Sequence, residues 1–102
     1  MYDIEISIQA NEDLNDLFMR IAYEKDSPKT AFKYLQGIYD KIKSLEENPT
    51  QYAIRTNESI IEEYGENVRR FNYKSHAVLY SVDENELSVS IVKVISQNSI
   101  LT

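Results

Sequence analysis

The sequence predicts an α+β fold: an N-terminal strand, an antiparallel helical hairpin, then a three-stranded antiparallel meander, giving a sheet of about four strands with the hairpin on one face. Three observations carry that reading. Tyr2, Ile4, Ile6 and Ile8 alternate strictly with Asp3, Glu5 and Ser7, the period of a half-buried strand. Two runs at helical spacing follow, separated by Ser27-Pro28. From Val68 to Val94 the chain is rich in β-branched and aromatic residues, interrupted only at Lys74-Ser75 and Asp83–Glu86. At 102 residues the chain is read as one domain, residues 1–102, with one core.

In the first helical run Ala10, Leu14, Leu17 and Ile21 share a face, Asn11 is competent to cap, and Glu12 and Asp13 favour the positive end of the dipole, so a helix to about Lys25 is expected. Ser27 then supplies a capping hydroxyl, and Pro28 fits the first helical position, where its missing N–H costs nothing. Ala31, Leu35, Ile38, Ile42 and Leu45 continue the second helix until Asn48-Pro49 stops it. The short connection implies an antiparallel pair. Its apolar seam suits packing against the sheet or, alternatively, recruitment of a partner helix. Gly37 inside the second helix costs about 1 kcal/mol relative to Ala and points to a closely approaching neighbour.

From Thr50 to Asn67 periodicity fails, and Ile60, Ile61 and Tyr64 before Gly65 allow only a short helical piece. Glu62, Glu63 and Glu66 read as a solvated acidic face, with a cation site as the alternative. In the meander, alternation puts Arg69, Phe71 and Tyr73 on one face and Arg70, Asn72 and Lys74 on the other, one face packing and one meeting water. His76, Val78, Tyr80 and Val82 alternate with Ala77, Leu79 and Ser81. Strict alternation in the last strand groups Lys93 with Val89, Ile91 and Ile95, emerging at the strand end.

A formal net charge of −6 argues against a protein that coats nucleic acid, and direct DNA binding is not expected. The charge is uneven: residues 1–66 carry 7 basic and 14 acidic side chains, and residues 67–102 carry 4 and 3. Arg69, Arg70 and Lys74 are therefore the natural candidates for contact with an anionic target. With no cysteine and one histidine, neither a disulfide nor a structural zinc is expected, and no metal or other cofactor is implied. The charged, alternating start is wrong for a signal peptide and no apolar run approaches membrane-spanning length, so the expectation is a cytoplasmic protein with no membrane partner.

The order of elements, with Ile4-Glu5-Ile6-Ser7, the close of the second helix at Leu45 to Pro49, Tyr52, Arg69-Arg70-Phe71, Val78-Leu79-Tyr80 and Val82-Asp83, resembles the RelE/ParE superfamily of toxins from type II toxin–antitoxin modules of the plasmid-stabilisation type. The resemblance implies a small α+β toxin wrapped by a co-expressed antitoxin, as a homodimer or a toxin–antitoxin hetero-oligomer. Its two branches imply different chemistry. The RelE-type branch cleaves messenger RNA on the ribosome and needs basic and aromatic groups converging on one phosphate. Arg70 matches a basic residue of that branch. Where the branch reads Gly-Tyr-Arg, however, this chain has Ser75, His76 and Ala77, and its second arginine falls at Gln97. The tail from Ile95 to Thr102 has neither a basic residue nor a tyrosine.

The ParE-type branch binds and inhibits DNA gyrase and needs no catalytic set, although its basic tail is missing here. The resemblance therefore implies a ParE-like binding toxin, with Arg69, Arg70 and Lys74 facing the target and Arg69 alternatively a structural brace. It leans away from an enzyme. The competing readings are a ribosome-dependent ribonuclease using Arg70, His76 and Tyr80, with His76 the one side chain suited to proton transfer near neutral pH, and a decayed relative that only binds its antitoxin. His76 as a hydrogen-bonded structural residue, and Tyr73 and Tyr80 as core or interface tyrosines, are the plain alternatives.

Overall fold

The structure, a computed structural model, describes residues 1–97; the remainder of the tail lies outside the described residues. Strand β1 (Asp3–Ile6) leads into helices α1 (Ile8–Glu24) and α2 (Pro28–Ser44), a 3₁₀ turn (Pro49–Gln51), a short helix α3 (Glu58–Tyr64), and strands β2 (Val68–Tyr73), β3 (His76–Asp83) and β4 (Ser88–Ser96). The sheet order is β1-β4-β3-β2. The meander is antiparallel, and β1 runs parallel to β4 with Ile4 opposite Val89 and Ile6 opposite Ile91. A parallel pair needs a long crossover, which the helices supply.

The alternation that predicts β1 fails two residues early because Ser7, not Asn11, caps α1. Its Oγ accepts from the Ala10 N–H at 3.0 Å, so the helix starts at Ile8, whose side chain is left in water. Ser27 caps α2 as expected, accepting from the Thr30 N–H at 3.1 Å. The α3 helix ends on Gly65, whose φ of 98° is a conformation other residues rarely adopt.

Ala10, Leu14, Leu17, Leu35, Ile38, Ile42 and Leu45 from the helical region pack on Phe71, Val78, Tyr80, Val89, Ile91 and Val94 of the sheet. The opposite face was expected to meet water. Instead α3 covers part of it, and Ile60 buries Val68, Ala77, Leu79 and Ile95 in a second, smaller core. The seven-residue helix, too short to show an amphipathic period, is held by this contact.

A bulge corrects the phase of β4. Leu79 pairs with Lys93 but Tyr80 pairs with Ile91, so Val92 is an extra residue and strict alternation breaks there. Lys93 thus belongs to the Leu79 and Ile95 side of the register rather than with Val89 and Ile91, and it does not emerge free. Its ammonium pairs with Asp13 Oδ1 at 3.0 Å, while Asp13 Oδ2 accepts from the Val94 N–H at 3.0 Å. Ser7 Oγ donates to the Val92 carbonyl at 3.3 Å. Where β1 stops, two side chains at the start of α1 therefore take over the exposed edge of β4.

Candidate functional site

The candidate residues sit on three parts of the sheet. Arg69 and Tyr80 are register partners, and both reach the segment after α2. Arg69 donates to the Tyr52 carbonyl at 2.6 Å and more weakly to that of Thr50 at 3.4 Å, and the Tyr80 hydroxyl donates to the Pro49 carbonyl at 2.6 Å. Tyr80 is fully buried, and burial pushes its hydroxyl up to about 12. Ile54 bridges to Arg69 and the Arg55 N–H donates to the Val68 carbonyl at 2.7 Å, so the same segment covers the outer edge of β2. Arg69 and Tyr80 fasten that cover down. Arg69 is a brace, and the Tyr80 hydroxyl has no opening through which a substrate could reach it.

Arg70 lies on the other face, opposite Leu79, with its Nε donating to Asn72 Oδ1 at 2.8 Å. Partial burial, and after it the charge of Arg55, lowers the pKa of its guanidinium from the ordinary value. Arg55 thus stands near enough to Arg70 for its charge to act on the guanidinium. Arg55 was not legible as a site residue because it stands in the aperiodic stretch before α3; only the β2 edge contact brings it beside Arg70.

Lys74 does not share that face. Alternation holds only while the chain is extended, and Lys74 takes a φ of 50° in the two-residue turn between β2 and β3. Its ammonium swings to the α2 side, 5.7 Å from the Tyr34 ring centroid and 5.4 Å from that of Tyr73. Gln97 holds the same turn, its backbone N–H donating to the Ser75 carbonyl at 2.9 Å and its side-chain amide to the Lys74 carbonyl. Ala77, the other position where the resemblance implies an arginine, is fully buried beneath α3.

His76 is half-buried between the hairpin helices and the sheet. An Arg20 N–H lies 3.4 Å from its Nε2, and Nδ1 is 2.8 Å from the Tyr34 hydroxyl. Because guanidinium only donates, this geometry requires Nε2 to accept and Nδ1 to carry the proton, donating to Tyr34, whose own hydroxyl points to the Tyr73 carbonyl at 3.5 Å. Burial, and then the Arg20 charge, lowers the His76 pKa, so the neutral ring is favoured. A cleft of about 340 Å³ opens beside it, lined among others by Asp13, Asp16 and Arg20. Arg20 and Tyr34, which the sequence analysis did not single out, are the partners that fix the ring.

Arg70, His76 and Tyr80 accordingly do not converge: one faces the α3 side, one is tied to the hairpin helices, and one is buried. Among the described residues no group of three or more His, Asp or Glu side chains is placed to hold a metal ion, so Glu62, Glu63 and Glu66 do not form a cation site. No helix among them is long and apolar enough to cross a membrane.

Comparison with known proteins supplies the relationship. A family model described as the ParE toxin of the type II toxin–antitoxin system parDE matches residues 4–101. Among solved structures, the chromosomal ParDE toxin–antitoxin system from P. aeruginosa superposes with a TM-score of 0.74 at 19% identity, covering 94% of this chain and 96% of that one. The RelBE2 toxin–antitoxin complex from Mycobacterium tuberculosis gives 0.67 at 17% identity, with 94% and 98% covered. The intact E. coli RelBE toxin–antitoxin complex gives 0.64 at 12% identity, with 97% and 100% covered. No curated protein matches the sequence.

Proposed function

The chain belongs to the ParE toxin family of type II toxin–antitoxin systems, and from that premise we propose that it is a ParE-like toxin that binds and inhibits a protein target such as DNA gyrase and is held inactive by a cognate antitoxin. The observation that carries this reading over the ribonuclease one is the dispersal of Arg70, His76 and Tyr80. Cleavage at a 2′-hydroxyl needs a base, a charge stabiliser and an acid around one phosphate. Here the candidate base is hydrogen-bonded to Arg20 and Tyr34, and the tyrosine is sealed in the core. Stoichiometric binding needs only a surface.

The target-facing group is Arg70 with Arg55, on the α3 side of the sheet, and Lys74 contributes from the hairpin turn. Arg69, already committed to the carbonyls of Thr50 and Tyr52, stands outside it. The test is induction of the chain without antitoxin in growing bacteria, with DNA and protein synthesis followed by pulse labelling, and then supercoiling by purified gyrase in the presence of the toxin. DNA synthesis should fall first and supercoiling should be inhibited, both abolished by Arg70→Glu in a protein that still folds. Protein synthesis falling first, with transcripts cut within codons, would replace this proposal with the ribonuclease reading.

A further inference from the structure

Three parts of the fold meet at His76. From α1 comes Arg20, with an N–H 3.4 Å from Nε2. From α2 comes Tyr34, its hydroxyl 2.8 Å from Nδ1 and its ring edge-on to the imidazole at 5.6 Å between centroids. From the sheet come Tyr73 on β2 and Ser96 on β4, the two register partners of His76. The Tyr34 ring also packs edge-on against Tyr73, and the Lys74 ammonium lies over both. The imidazole is thus packed on the α2 side, while on the α1 side it borders a cleft holding two carboxylates, Asp13 and Asp16. Those carboxylates differ. Asp13 is committed to the Lys93 ammonium and the Val94 N–H. Asp16 is exposed and, among the described residues, in no ion pair. It stands four residues before Arg20 on α1, the spacing and order in which an acidic and a basic side chain pair along a helix. Arg20 therefore has two acceptors on the same cleft, and only the imidazole changes its charge near neutral pH.

We propose that His76 is a proton-operated latch between the sheet and the C-terminal half of α1: the neutral ring holds Arg20, and a proton from solvent at Nε2 hands the guanidinium to Asp16. A guanidinium only donates, so Nε2 binds Arg20 solely through its lone pair, and protonation sets two donors and two like charges face to face. The bond from Nδ1–H to Tyr34 needs no change, so the ring keeps its place against α2 and only the α1 side lets go. Leu14 and Leu17 stay buried, which confines the change to Arg20 and the turn beyond it. Of the other cations nearby, Lys93 is neutralised by Asp13 and Lys74 faces the tyrosine rings, so Arg20 is the one that the proton displaces. Burial and the Arg20 charge both oppose that proton, so the latch is closed at neutral pH and opens on the acid side of the ordinary histidine range. The latch is independent of the toxin's target.

The test is a nuclear magnetic resonance titration of the full chain, with isotope-labelled histidine and arginine, from about pH 8 to 5. On the alkaline side the proton should sit on Nδ1 with Nε2 bare, and the Arg20 Cζ and Nε signals should move with the same midpoint as the His76 ring. Asp16→Asn, a change at an exposed position, should lower that midpoint by roughly 0.2–0.4 pH units, the strength of one such pair on a helix, and shrink the Arg20 displacement. Arg20→Met should raise the midpoint, and His76→Gln should leave the Arg20 signals without a transition in this range. Arg20 signals that stay in place while the ring titrates, or that move equally in His76→Gln, would overturn the latch, as would a proton on Nε2 on the alkaline side. An Asp16→Asn protein whose Arg20 signals still follow His76 in full would remove Asp16 as the receiving group and overturn the exchange.

Discussion

Gly37→Ala tests whether the sheet and α2 are packed as closely as the structure requires. In an exposed helix the substitution should stabilise by about 1 kcal/mol, because alanine loses less backbone entropy on folding. Here the new Cβ would lie 1.9 Å from the Tyr73 hydroxyl oxygen, 2.3 Å from its Cζ and 2.8 Å from its Cε1. A rigid ring must move, and Tyr73 is held edge-on to Tyr34, 5.3 Å between centroids, with Lys74 above it. Overpacking of this kind costs about 1–3 kcal/mol, so the net effect should be neutral to about 2 kcal/mol destabilising. In a Tyr73→Ala background the obstacle is gone and the same substitution should become stabilising by about 1 kcal/mol. Urea unfolding of the four proteins gives the coupling directly, since a change in midpoint at constant slope is a change in stability. If Gly37→Ala stabilises both backgrounds equally, Tyr73 does not occupy the space in front of Gly37 and the sheet and α2 are not packed so closely.

Asp13→Ala removes the acceptor of both Lys93 and the Val94 N–H and should cost about 2–4 kcal/mol, as expected when charge-assisted bonds are lost and a backbone donor is left unpaired; hydrogen exchange should show Val94 losing protection first. Tyr80→Phe removes the bond to the Pro49 carbonyl and should lower stability by about 1–2 kcal/mol with toxicity retained, whereas loss of toxicity in a protein that remains folded would restore Tyr80 as a catalytic group. His76 is held below its ordinary range by burial and then by Arg20, so the unfolded chain takes up the proton first as pH falls. The contribution is present in full above the unfolded pKa of about 6.5 and is lost as pH drops through that value toward the lower folded one. Melting temperatures between about pH 7.5 and 5.5 should therefore fall more steeply for the wild type than for His76→Gln, and equal slopes would refute the assignment of the neutral ring.

The separation of the cations into an α3-side pair and a hairpin-turn lysine changes what a surface variant reports. Arg70→Glu and Lys74→Glu act on different faces, so a combined loss of toxicity cannot be read as one contact. Arg69→Ala, which releases the Thr50–Tyr52 carbonyls, reports on stability first.

Local chemistry determined the secondary elements. Ser27-Pro28, the helical spacing from Ala31 to Leu45, and the alternation in β1 and β2 each state a backbone preference that nearby residues enforce, and the structure keeps these elements while ending β1 at Ile6 and turning Lys74 out of the β2 alternation. The close neighbour expected at Gly37 is Tyr73, because a glycine costing stability inside a helix asks for a contact in return. What sequence could not decide depends on partners far along the chain. The sequence pointed to Asn11 as the α1 cap and left Ser7 in the strand; Ser7 caps instead, because β1 stops pairing with β4 at Ile6. Nothing near Val92 marks the bulge that removes Lys93 from the Val89 and Ile91 face; the fit of β4 between β3 and α1 creates it. The second core exists because a seven-residue helix finds Leu79 and Ile95 exposed beside it. The site followed the same division. Residue type nominated Arg69, Arg70, Lys74, His76 and Tyr80 as candidates. The directions of Arg69, Lys74, His76 and Tyr80 came from contacts with Tyr52, Tyr34, Arg20 and Pro49, and those contacts are long-range packing that period-two alternation does not encode.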